Sequence, residues 1–169
     1  AAALGVAPKP EGGAPELGLL ERRPAADGRE AIVVHDDERG ILLALRLGDR
    51  AEEPAQPLWA IAGDVLHRPG EPGRTLGAGA EAPAVFQPAP LLVDRRVYAV
   101  ARRSLAGKER LELWCLDRAS GAPLWTRFLC EGAPVRTQSS RSFRPSGGSL
   151  PPSAPVYSDG LVFVATNLG

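Results

Sequence analysis

The chain has 169 residues, 44% of them hydrophobic, and 20 basic side chains balance 20 acidic ones. This composition is that of a globular protein rather than a disordered or membrane one, and it implies no strongly charged partner such as a nucleic acid. Glycine (19) and proline (17) together make 36 residues, about 21%, against an average near 12%. So many helix breakers leave no room for long helices, and no apolar run approaches the about 18 residues of a membrane span. With no methionine anywhere, the chain reads as an excerpt from a longer one, and any signal or anchor is expected upstream. The basic residues are 18 Arg and 2 Lys, a coding bias rather than an arginine site.

An internal period near 65 residues organises the sequence. Pro24 is followed by Pro90 at an offset of 66, and Ala89-Pro90 by Ala154-Pro155 at 65. Asp27, Asp94 and Asp159 follow those prolines and precede the apolar runs Ala31–Val34, Val97–Val100 and Val162–Ala165. Pro57-Leu58-Trp59 returns as Pro123-Leu124-Trp125, again at 66. Internal similarity in one register marks a repeat architecture.

Taken in chain order, the elements read as short strands rich in Val, Ile, Leu and aromatics and bounded by turn residues. The first unit offers the run at Ala31, then Gly40 to Leu47, a loop over Gly48 to Gln56, and Pro57 to Ala62. His35-Asp36-Asp37-Glu38 reads as a polar turn rather than an acid/base or cation cluster. His67 reads as a surface or loop histidine, because neither histidine has zinc-site spacing. From His67 to Pro90 the crowding of Gly and Pro reads as an inter-unit loop. Within it Gly77-Ala78-Gly79-Ala80-Glu81-Ala82 matches a dinucleotide fingerprint in letters but lacks the required strand before and helix after.

The second unit offers the run at Val97, then Leu111 to Leu116, a turn over Asp117 to Gly121, and Pro123 to Leu129. That makes about four strands per unit. Cys115 and Cys130 fall on the two strands of one hairpin, facing about positions 124 and 109, too far apart for a disulfide. Arg136 to Gly148 is basic and serine-rich and reads as a solvated loop. Asp159-Gly160 between Val156-Tyr157 and Leu161–Val164 is a strong hairpin signal.

Cys115-Leu116-Asp117-Arg118-Ala119-Ser120-Gly121-Ala122-Pro123-Leu124-Trp125 resembles the tryptophan-docking repeat of PQQ-like (pyrroloquinoline quinone) β-propellers, Ala-x-Asp-x-x-Thr-Gly-x-x-x-Trp. Asp117, Gly121 and Trp125 take its fixed positions, with Ser120 for Thr and Cys115 for the small Ala. Physical chemistry accompanies the likeness: Asp at the turn start accepts backbone N–H bonds, Ser does so more weakly, and Gly supplies positive φ.

The resemblance implies an all-β fold, a partial β-propeller of four-stranded antiparallel blades with long inter-blade loops. Residues 1–23 would be a linker or the end of a preceding blade, and 24–88 a degenerate blade without clear equivalents of Asp117 and Gly121. Residues 89–153 would be a blade with the docking motif and 154–169 the start of the next, truncated one. Two and a half blades cannot close a ring. Trp125 and Trp59 would staple neighbouring blades.

The family includes PQQ- and calcium-dependent alcohol and sugar dehydrogenases as well as scaffolds that bind no quinone. Many of the quinoproteins carry adjacent cysteines; Cys115 and Cys130 are not adjacent. The expectation is a non-catalytic protein-interaction or scaffold module with no cofactor and a protein partner, in the periplasm or otherwise extracytoplasmic. A piece of a quinoprotein dehydrogenase is the alternative.

Overall fold

The computed structural model describes residues 31–36 (backbone only), 40–46, 53–76, 82–87, 89–133 and 152–166. Every regular element among them is a strand, and the pairings are antiparallel throughout. Three sheets result, none of them closed.

The first sheet runs β1 (Ala31–Asp36), β2 (Ile41–Arg46), β3 (Gln56–Ala62), β4 (Val65–His67) and β5 (Arg74–Thr75), in spatial as in chain order. The second consists of β6 (Val85–Phe86), β7 (Leu91–Val93), β8 (Arg96–Leu105), β9 (Lys108–Asp117) and β10 (Pro123–Gly132). Strands β7 to β10 form a four-stranded meander, and β6 joins β7 on the free edge of β8. The third is the hairpin β11 (Val156–Ser158) and β12 (Leu161–Phe163).

Turn chemistry sets the registers. Two-residue loops suit antiparallel strands when their residues accept positive φ. Ala106-Gly107 (φ 47° and 80°) joins β8 to β9, and Asp159-Gly160 (51° and 82°) joins β11 to β12. Asp94, also at φ 51°, opens the turn between β7 and β8. Asp94 and Asp159 thus hold the same place in equivalent hairpins. Aspartate tolerates this conformation better than most residues.

The second sheet is the centre of the molecule. Val97 to Ala101 on β8 are all buried, although their side chains alternate between two faces. Val97, Ala99 and Ala101, with Trp114 and Leu116 of β9, share one core with Leu42, Ala44, Trp59, Ile61 and Leu66 of the first sheet. Tyr98, Val100, Leu111, Leu113 and Cys115 form a second core on the opposite face, where Val162 and Val164 pack. A sheet covered on both faces needs a near-continuous apolar run, and β8 and β9 supply one. Phe86 meets Trp114 edge to face in the first core, at 5.4 Å and 88°.

Three expectations need correction. The stretch His67 to Pro90 is not wholly loop, since β5 pairs with β4 and β6 pairs with β8. Strands of two residues are too short to show alternation, and the surrounding Gly and Pro hide them. His35 and Asp36 belong to β1, opposite Leu42 and Ile41, rather than to a turn, and the half-buried His67 ends β4 instead of lying in a loop.

Candidate docking site between the sheets

The two Pro-Leu-Trp triplets occupy the same place in their sheets. Pro57 lies opposite Leu45 and Trp59 opposite Ala44, leaving Leu58 as the extra residue of a bulge. Pro123 lies opposite Leu116 and Trp125 opposite Cys115, leaving Leu124 as the extra residue. Proline has no N–H to give to the ladder and a bulge re-aims the side chain after it, so the triplet turns each indole by the same device. Each tryptophan faces a small residue across the strand pair, Ala44 or Cys115. The spacing from small residue to tryptophan is 15 in the first unit and 10 in the second, and the longer first connecting loop accounts for the five-residue difference.

Trp59 is fully buried, and it crosses from the first sheet to the second. Its indole N–H donates to the carbonyl of Arg118 at 2.8 Å, inside the turn that follows β9. Gly121 of that turn lies against the ring at φ 67°, and a Cβ there would stand 2.5 Å from Trp59 Cδ2. Both the left-handed backbone and the close approach therefore require glycine. Arg68 adds a second strut, donating Nε–H to the Ser120 carbonyl at 2.9 Å.

The turn is rigid because its polar groups answer one another. The Asp117 carboxylate accepts the Ser120 N–H at 2.9 Å and the Ser120 hydroxyl at 2.7 Å. Backbone bonds from Gly121 N to Asp117 O and from Arg118 N to Arg95 O complete it. Burial alone would raise the Asp117 pKa, but the Ser120 hydroxyl and N–H, the charge of Arg95 and the Ala119 N–H outweigh it and hold the carboxyl below its usual range.

A depressed folded-state pKa stabilises the fold above the unfolded-state value, near 3.9, and that contribution disappears as pH falls through the folded value. Asp117→Ala is expected to lower the unfolding free energy by about 1–3 kcal/mol at pH 7. The gap to the parent protein should narrow below about pH 4. Urea unfolding at pH 7, 4 and 2.5 measures this; a gap independent of pH would dismiss the charge as the source.

At the opposite end of the same interface stands a residue that the sequence gives no reason to choose. Arg103 of β8, 6% exposed, donates through Nη1 and Nη2 to the two carboxylate oxygens of Asp64 at 2.8 and 2.6 Å. Its Nη1 also reaches the Ala82 carbonyl at 2.6 Å and its Nε reaches Glu112 at 3.2 Å. Asp64 sits in the β3–β4 turn, so this fork ties the first sheet to the second. The Asp64 hydrogen bond raises the Arg103 pKa against the opposing effect of burial. A fourth tie is the backbone bond from Phe86 N–H to the Gly40 carbonyl at 3.1 Å.

Of the residues singled out from sequence, Asp117, Ser120, Gly121 and Trp59 come together in one cluster, and Trp125 does not join it. Trp125 leans on Tyr98 at 6.0 Å and is 37% exposed, with no turn seated on its indole among the described residues. Cys115 faces position 125 and Cys130 faces Leu111, instead of 124 and 109, because bulges at Leu124 and Leu129 shift the register. Four positions along a strand separate the thiols by roughly 13 Å, and both are free. Burial pushes the Cys115 thiol up, opposed by the charge of Arg96 and a hydrogen bond from Tyr98. The fingerprint at 77–82 and the basic stretch at 136–148 lie wholly or almost wholly outside the described residues.

Among the described residues no helix is long and apolar enough to cross a membrane. Comparison with protein-family models, characterised proteins and solved structures returns no match for this chain.

Proposed function

We propose that the chain is a non-catalytic, PQQ-like β-propeller segment that serves as a scaffold or protein-interaction module in an extracytoplasmic setting. The observation that carries the reading is the seat of Trp59, with its indole N–H on the Arg118 carbonyl and its ring against Gly121. A tryptophan of one sheet packs against the next, as the resemblance implies, and its seat there is the turn from Asp117 to Gly121. The matching bulges at Leu58 and Leu124 support treating the two sheets as successive blades, and so do the matching turns at Asp94 and Asp159. The three stacked sheets would be a sector of a ring whose other blades complete four to eight.

The scaffold side of the reading draws on what the buried polar groups do. Asp117, Ser120, Arg103 and Glu112 are committed to ties within and between sheets, which suits a rigid frame. Fold alone does not fix activity, so the test is chemical. The protein is incubated with PQQ and Ca²⁺, washed, and examined by absorbance and by dye-linked oxidation of alcohols and sugars. No retention at saturating quinone is expected. Stoichiometric retention with dye reduction would replace the scaffold by a quinoprotein dehydrogenase.

A further inference from the structure

We propose that the outer edge of β10, at Trp125 to Phe128, accepts an added strand from a partner protein, an extended segment with a carboxylate set between apolar residues. This names a partner for the scaffold reading and rests on it in one respect, the equivalence of β3 and β10. β10 is ten residues long and among the described residues pairs with β9 alone. An open edge of this length is a template for strand addition.

The first sheet shows what such an edge takes. Counted from the two tryptophans, Ala60, Ile61 and Ala62 of β3 correspond to Thr126, Arg127 and Phe128 of β10. In β3 these residues are covered by β4, in the register Ala60 to His67, Ile61 to Leu66 and Ala62 to Val65. β3 can do this because the chain reverses at Gly63-Asp64, whereas β10 runs on to Gly132. Among the described residues the β10 edge thus lacks the antiparallel strand that its counterpart carries.

The side chains specify the occupant. Bulges at Leu124 and Leu129 bracket four residues in regular register, free of proline and with a single charge, Arg127. That arginine is exposed and has no ion pair among the described residues. By strand alternation Trp125 and Arg127 project to one face and Thr126 and Phe128 to the other. Phe128 is 56% exposed and backed by the Arg110 guanidinium at 5.1 Å. An incoming strand therefore meets a cation beside an indole on one face and an exposed phenyl ring on the other. A carboxylate flanked by Val or Thr matches both.

The probe is a fluorescein-labelled synthetic hexapeptide, Thr-Val-Asp-Val-Thr-Val with blocked ends, combined with backbone amide exchange on the whole protein. The outward amides of 125–128 are expected to exchange rapidly in the free protein and at least tenfold more slowly with saturating peptide. Arg127→Glu should weaken peptide binding about tenfold, and a peptide with Lys in place of Asp should restore it. Slow exchange without peptide would mean that the chain covers its own edge and would overturn the proposal. So would the absence of saturable binding, or equal binding by R127E. A protein that binds the peptide and also retains quinone would keep this inference and lose the scaffold reading, so the two fail separately.

Discussion

Trp59→Ala is expected to lower the unfolding free energy by about 3–5 kcal/mol, in the upper range for truncating a buried aromatic. The side chain is fully buried, and three separate contributions end with it. The indole surface leaves a core made by both sheets, a cavity remains between them, and the Arg118 carbonyl loses the N–H that reaches it at 2.8 Å. Trp59→Phe separates these effects, since it keeps most of the packing and removes the donor, and about 1–3 kcal/mol is expected for it. Gly121→Ala attacks the same contact from the other side. Its methyl group would stand 2.5 Å from the indole while the backbone is held at φ 67°, so about 2–4 kcal/mol is expected, of which the conformational part is about 1–2. The decisive measurement is the double-mutant cycle by urea denaturation. With Trp59 already truncated, Gly121→Ala should cost little beyond its conformational part, since the close neighbour that remains, Leu66 Cδ1 at 2.9 Å, is the end of a flexible side chain; a coupling of about 1–2 kcal/mol follows. Additive losses would mean that the ring and the glycine do not act as one site.

How far the sequence discloses this site depends on the range over which each signal acts. The Asp117 turn is legible because its chemistry is local: carboxylate, hydroxyl and glycine lie within five residues, and the bonds from Ser120 to Asp117 close at 2.9 and 2.7 Å. The long strands β8 and β9 are legible as apolar runs, and the hairpin at Asp159-Gly160 as a turn dipeptide. The recurrence of Pro-Leu-Trp is visible too, but not the bulge that it creates, because a bulge is a property of two strands and not of one. For the same reason the cysteine register is displaced by one or two positions. Strands β5 and β6 have two residues each and exist only because a partner edge receives them, so no window of sequence contains them. The landing point of Trp59 is 59 residues away; the resemblance implies a neighbouring blade as its partner, but not the turn on which it lands. Arg103 is the plainest omission: it is one of 18 arginines, and nothing in its neighbours distinguishes it until the fold brings Asp64 and Ala82 to its guanidinium.

Arg103 carries the second large expectation. Arg103→Met should cost about 3 kcal/mol, because breaking a largely buried ion pair leaves Asp64 without its cation, whereas Glu112 keeps Arg110 at 3.2 Å. The side chains of Asp64 and Glu112 keep 18% and 14% exposure, so water recovers part of the loss and the effect falls short of the full range for a buried pair. Geometry is expected to matter beyond charge. The guanidinium serves both oxygens of Asp64, the Ala82 carbonyl and Glu112 at once, which a single ammonium cannot do. Arg103→Lys should therefore recover about half of the stability lost in R103M. Removing the stranded charges gives the complementary test: Asp64→Asn and Glu112→Gln, each damaging alone, should cost less in the R103M background than in the parent protein. Glu112 also accepts the Trp114 indole N–H at 3.1 Å, which Gln preserves, and pairs with Arg110 at 3.2 Å, which Gln loses in both backgrounds, so the difference between backgrounds reports on the Arg103 pair. If R103K matched the parent protein, charge alone would account for the tie. If R103M were neutral, the first and second sheets would be held by their shared core and the Trp59 seat without help from this end of the interface.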